Sequence, residues 1–204
     1  MQDFLRFEKE LLEIVGDGHD LRPFICEGSP LLCDVFIVGY NPATATGRQF
    51  LSYWEPGYGM RRSDVLGVIR AIRATQKTKT GRSKAEFSPS RMTIHVLIAA
   101  GEELGEFRCL ETNIYAAEAP AAGDVKAHQR VTRHFDFLLD WVKPKVIISH
   151  GKKANAYLRT KALDAEWLTI ETHFRSRPYA AARAAAQVAQ RIVQSSKHRV
   201  RAIS

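Results

Sequence analysis

Asp34-Val-Phe-Ile-Val-Gly-Tyr40, followed at once by Asn41-Pro42, is the stretch on which the fold turns. It is a short, continuous apolar run rich in β-branched and aromatic residues, without the polar alternation of a half-exposed strand. That is the pattern of a strand covered on both faces. Asn-Pro then breaks the run with a turn. A strand buried on both sides needs helices above and below it, and the flanking sequence supplies them.

Upstream, residues 3–15 place Phe4, Phe7, Leu11, Leu12 and Val15 at helical spacing behind Asp3 as N-cap, before a Gly/Pro-rich approach over 16–30. Downstream, Ser63 caps a helix with Val65, Leu66, Val68, Ile69 and Ile72 on one face and Arg70 and Arg73 on the other. A polar, basic loop over 76–89 leads to a helix capped by Ser90 and buried through Met92, Val96 and Leu97. Residues 109–115 read as a second strand. Residues 127–141 read as a helix with Val131, Phe135, Leu138, Leu139 and Val142 on its apolar side, closed by Pro144. A third strand over 145–149, a helix over 151–159, a fourth strand over 167–172 and an Ala-rich helix over 179–195 complete the chain.

Strands alternating with helices imply right-handed crossovers. The expectation is an α/β chain: a three-layer α/β/α sandwich around a central four-stranded parallel sheet. The 204 residues, 45% hydrophobic, suffice for one well-buried domain. No repeat or linker divides them, so residues 1–204 are read as a single domain.

The formal charge is +8, and it is unevenly placed. Residues 61–91 hold nine Lys/Arg against two acids, and residues 172–204 hold seven against none, so the rest of the chain is net acidic. Two basic segments on an acidic body are the footprint of a polyanion partner, although either alone is also an ordinary solvated face or tail. Three cysteines without a C-x-x-C spacing suit reduced thiols and the cytosol. The acidic, interrupted N-terminus is unlike a signal peptide, and no apolar run reaches the ~18 residues of a membrane span. The expected location is cytoplasmic, nucleoid-associated if the source is prokaryotic, with no membrane partner and a monomeric state.

In parallel sheets, function collects where strands end. That rule selects residues 41–50, 113–118, 150–153 and 173–179. Residues 38–50 lack both the P-loop and the dinucleotide fingerprint. The seven histidines include no i, i+4 pair and none beside a Cys or carboxylate cluster, so no metal is expected. Ser149-His150 lacks the nucleophile elbow Gly-x-Ser-x-Gly, which argues against acyl transfer.

Taken together, the segments resemble the uracil-DNA glycosylase superfamily. Val38-Gly-Tyr-Asn-Pro42 is similar to its first motif in the mismatch-specific and single-strand-selective branches, where Asn replaces the Asp of the housekeeping enzymes. Gly47-Arg-Gln-Phe50 resembles their Gly-Arg-Pro-Phe. Glu111-Thr-Asn-Ile-Tyr115 resembles the middle strand end that supplies a base-reading Asn. Residues 139–154 resemble the penultimate helix-strand-Gly-x-x-Ala unit, and Thr172-His173 stands where the final His-containing loop begins. The motifs occur in order over roughly residues 30–195, and the ordered set carries the resemblance.

It implies a monofunctional DNA glycosylase of base excision repair, a hydrolase that flips out uracil or a related deaminated base and cuts its N-glycosidic bond. DNA is the partner, and no cofactor is needed. Asn41 and His173 are the implied catalytic residues. Breaking the bond builds positive charge on the sugar and negative charge on the base. Asn41 orients the attacking water, since an amide is no base near neutral pH, and His173 donates to a base carbonyl. Gly39, Tyr40, Phe50 and Asn113 form the base pocket, with Phe50 stacking and Asn113 reading the Watson–Crick edge. Arg48, Arg61, Arg62, Lys152, Arg175, Ser176 and Arg177 are the implied DNA contacts. Each residue also has a plainer reading: Phe50 as core, Asn113 and Asn41 as satisfying local backbone groups, His173 as a loop histidine. Phe174-Arg-Ser-Arg-Pro178 departs from the family's Pro-Ser after the His, and three cysteines cannot supply the four ligands of its iron–sulfur branches. That altered loop leaves a second expectation, the same fold kept as a weak or inactive DNA-binding module.

Overall fold

The computed structural model describes residues 2–16, 21–78, 80–120, 123–170 and 179–203, with side chains as far as residue 196. In chain order the elements are α1 (Gln2–Val15), β1 (Phe24–Ile25), β2 (Val35–Gly39), a β3–β4 ribbon (Trp54–Glu55, Gly59–Met60), α2 (Arg62–Thr75) and α3 (Pro89–Glu102). They continue with β5 (Cys109–Asn113), α4 (Arg133–Val142), β6 (Val146–His150), α5 (Lys152–Leu158), β7 (Glu166–Ile170) and α6 (Tyr179–Ile203).

All five residues of β2 are buried, as the continuous apolar run requires. It lies at the sheet centre, parallel to β5 on one side (Gly39 opposite Asn113) and to β6 on the other (Val38 opposite Ser149). The order is β1-β5-β2-β6-β7. Phe36, Val38, Leu110 and Ile147 face α1, α2, α4 and α5, while Val35, Ile37, Val146 and Ile148 face α3 and α6. Helices therefore cover both faces, giving an α/β chain compatible with three layers.

Two expectations need correction. The sheet has five strands and is mixed, because Phe24–Ile25 pairs antiparallel with β5 at the edge. Two residues behind a proline are too short to show a strand period. The helix read over 127–141 is broken: Ala127–Gln129 forms its own short turn, and α4 begins only at Arg133. The Gln129 amide oxygen accepts from the Lys126 N–H at 3.0 Å, and the Thr132 hydroxyl donates to the Asp136 carboxylate at 2.7 Å. Local side-chain bonds thus compete with helix continuation, and Val131, in the gap, is 48% exposed rather than core.

Smaller differences concern helix starts. Ser88, not Ser90, caps α3, accepting from the Arg91 N–H with Pro89 at the first position. The helix of Val65 and Ile69 begins at Arg62, so Ser63 lies inside its first turn. Among the described residues no helix is long and apolar enough to cross a membrane.

Candidate functional site

β2, β5 and β6 end side by side, at Gly39, Asn113 and His150. A β-carbon at Gly39 would lie 2.6 Å from Asn113 Oδ1 and 3.1 Å from His150 Nε2. Both side chains therefore reach over the one position that carries none, and glycine is what allows them to converge. Beyond them opens a cleft of about 560 Å³, lined among others by Tyr40, Asn41, Arg91, Asn113, His150 and Lys152.

The chain leaving β2 is held by the chain leaving β5. Ile114 and Tyr115 N–H groups donate to the carbonyls of Gly39 and Tyr40, and the Ala119 N–H to that of Pro42. Asn41 Nδ2 donates to the Ala119 carbonyl at 2.8 Å and to that of Pro42 at 3.1 Å. Both partners are pure acceptors, so the amide orientation is fixed, and Oδ1 is left as an acceptor for a donor such as water. Farther along, the buried Glu118 carboxylate accepts from the Thr46 N–H at 2.6 Å and pairs with Arg22 at 3.0 Å, tying the 41–50 loop to the wall of the cleft.

The floor carries a second buried ionic group. Glu111, 5% exposed, lies between Arg91 of α3 and Arg62 of α2. A carboxylate on a strand buried on both faces requires such partners. Burial, with Arg91 nearby, lowers the His150 imidazole from its usual 6.5 to about 4 despite the opposing pull of Glu111. His150 is therefore neutral at pH 7. The unfolded chain takes up that proton below pH 6.5 while the folded chain resists until about pH 4. This histidine's contribution to stability is complete above pH 6.5 and falls by up to about 1.4 kcal/mol per pH unit through that window. Denaturant midpoints followed from pH 7 to pH 4 should show a steeper decline in wild type than in His150→Gln.

Of the residues singled out in the sequence, Gly39, Tyr40, Asn41, Asn113 and Lys152 come together here. Lys152 and Lys153 stand exposed beside the opening, with Lys153 Nζ 5.1 Å from the Tyr40 ring centre. Phe50 does not line the cleft. It is 1% exposed and packs edge-on against Phe24 at 5.0 Å; Phe24 adjoins the cleft but is itself 1% exposed, and Tyr40 is the partly exposed aromatic that lines it. Arg62 is also misplaced as a DNA contact. Its guanidinium is drawn inward by Glu111 and by the Cys109 carbonyl, at the opposite end of β5 from Asn113. Arg48 is exposed on the 41–50 loop, and Arg61, also exposed, pairs with Glu55 and covers the Tyr58 ring. His173, Arg175, Ser176 and Arg177 lie outside the described residues.

Arg22, Arg91, Glu111 and Phe24 line the cleft without having been picked out for it, and His150 does so although only its strand end, and no role for it, was singled out. A signal existed for two of them: His150 ends an apolar strand, and Glu111 is a lone carboxylate within one. No protein-family model matches the sequence, and no curated protein matches it.

Proposed function

We propose that the chain is a monofunctional DNA glycosylase with a uracil-DNA glycosylase-like fold, which excises uracil or a related deaminated base. The observation that carries this reading is the meeting of Asn113 and a neutral His150 over Gly39, at the ends of three adjacent parallel strands, with Asn41 lining the same cleft. Asn113 offers the paired donor and acceptor that a flipped base needs on its Watson–Crick edge. Asn41 Oδ1 orients water toward the sugar. The bond from C1′ to the base nitrogen breaks with its electron pair leaving on the base, and the water oxygen bonds C1′ and releases a proton, which the departing base anion takes up. Dipoles and cations already in place around the cleft, Arg91 among them, favour the anionic leaving base without having to reorganise. The base would stack on Tyr40, the partly exposed aromatic of the cleft, while Phe24 and Phe50 belong to the core behind it. Lys152, Lys153 and the exposed Arg48 would meet phosphates, as would the basic C-terminal segment, and the cytosol or nucleoid would be the place of action.

The test is incubation of labelled oligonucleotides carrying uracil, hypoxanthine, xanthine or hydroxymethyluracil, single- and double-stranded, followed by alkaline cleavage of abasic sites. Strand cleavage dependent on the modified base is expected. The binding-module alternative has its own support: the described cleft offers no unpaired carboxylate as general base, since Glu111 is engaged by two arginines. Salt-sensitive binding with no cleavage on any substrate would favour it.

A further inference from the structure

We propose that residues 76–84, a small hairpin between α2 and α3 at the edge of the cleft, grip phosphates of the DNA strand outside it, through Lys77, Arg82 and Lys84 with the hydroxyls of Thr78, Thr80 and Ser83. The proposal rests on the DNA partner of the glycosylase reading and adds where the strand is held. Gln76-Lys-Thr-Lys-Thr-Gly-Arg-Ser-Lys84 contains no apolar and no acidic residue, so neither a core nor an internal ion pair accounts for it. Cations interleaved with hydroxyls are the side chains that meet phosphate oxygens in protein–DNA contacts. The backbone is nonetheless paired. The Thr78 N–H donates to the Arg82 carbonyl at 2.8 Å, the Lys84 N–H donates to the Gln76 carbonyl at 3.1 Å, and Lys77 is bridged to Ser83. Gly81, at φ +77°, tightens the turn by donating its N–H to the Thr78 carbonyl. The charges are thus carried on a paired ribbon and not on an irregular loop.

Folding also sorts the cations of residues 61–91. Arg61 and Arg70 pair with Glu55 and Glu86, and Arg62 and Arg91 with Glu111. Arg73 donates to the Ala85 carbonyl at 3.0 Å. Lys77 donates to the Ser83 hydroxyl at 3.0 Å and Lys84 to the Gln76 amide oxygen at 2.8 Å, both neutral acceptors. Among the described residues no carboxylate meets Lys77, Arg82 or Lys84, so the excess charge of the segment is concentrated on the hairpin. Its roots stand in the cleft wall, with Arg73 before it and Ser88, Pro89 and Ser90 after it. There α3 is tied to β5 through Arg91 and Glu111, whereas Lys152 and Lys153 follow β6; the two basic elements therefore belong to opposite flanks of β2. Arms of about four residues extend about 13 Å at about 3.3 Å per residue, long enough to meet phosphates beyond the flipped nucleotide.

The experiment measures binding of a fluorescent DNA duplex without modified bases, by anisotropy across a salt series. It compares wild type with a triple variant, Lys77→Gln, Arg82→Gln and Lys84→Gln, and with a control, Lys9→Gln, Arg133→Gln and Lys143→Gln, which removes equal charge from exposed positions on α1 and α4 and just after α4. Each phosphate contact contributes about 0.9 to the slope of log affinity against log salt. The hairpin variant should flatten that slope by about 2 to 3, and the control by less than about 0.5. An unchanged slope, or equal flattening by both variants, overturns the proposal while leaving base excision standing. Because the duplex carries no damaged base, a protein that binds as expected but releases no base from damaged strands refutes the glycosylase reading alone. Vesicles of phosphatidylserine and phosphatidylcholine test the other anionic surface: if the hairpin variant loses vesicle binding and keeps its DNA slope, the proposal falls in favour of a membrane. Should the hairpin variant misfold by circular dichroism, acetylation of wild-type lysines with and without DNA decides. Protection of Lys77 and Lys84 beyond that of Lys9 and Lys143 supports the proposal, and equal labelling refutes it.

Discussion

Glu111→Ala should destabilise the fold by about 3–5 kcal/mol, the range for breaking a buried ion pair by removing one partner. The side chain is 5% exposed, and it separates two guanidiniums whose side chains are each 16% exposed. Deleting it leaves Arg62 and Arg91 as like charges with no counter-ion between them and little water. Burial is what makes the loss large; a surface pair would cost about 1 kcal/mol or less. Urea denaturation followed by far-ultraviolet circular dichroism gives the number. A triple replacement of Glu111 by Leu with Arg62 and Arg91 by Met should recover most of it, because the desolvated charges then disappear together. A wild-type midpoint for Glu111→Ala would show that the ionic floor does not hold the sheet and helices together.

On the proposed reading, Asn41→Ala should lower base excision by about 10²- to 10³-fold while leaving DNA affinity within a few-fold, since the amide would act on the reacting water and not on phosphates. Asn41→Asp is the sharper variant. A carboxylate is a stronger base than an amide, and substrate chemistry alone predicts a gain. Here the amide Nδ2 donates to the carbonyls of Ala119 and Pro42, and an aspartate would set its own oxygens against both. The expected result is no gain over wild type. Single-turnover rates for the three proteins distinguish these outcomes, and a faster Asn41→Asp enzyme would contradict the assigned role of the two carbonyls.

The central strand and the helices that cover it were legible because they obey one rule each. Val35–Gly39 is uniformly apolar and buried, and α3 and α4 bury one stripe. The strand-end rule points to Asn41, Asn113, His150 and Lys152, since it depends only on where strands stop. Residues whose roles depend on distant partners were not legible. Phe50 has the composition of a stacking platform, but whether it faces a base or a core is settled by Phe24, 26 positions upstream. Arg62 looked like part of a basic patch, and it is Glu111, in a strand 49 positions on, that turns it inward. β1 escaped notice because two residues show no period and its pairing comes from β5. His150 was visible as a strand-end histidine, but its neutrality and its convergence with Asn113 come from burial and from the missing β-carbon of Gly39.

The most direct measurement is mass spectrometry of a uracil-containing oligonucleotide after incubation with the full chain. The account predicts free uracil together with an equal amount of the same strand carrying a hydroxyl in place of the base, without strand scission before alkali. An unchanged intact mass for uracil, xanthine, hypoxanthine and hydroxymethyluracil strands alike, in single- and double-stranded form, would contradict it.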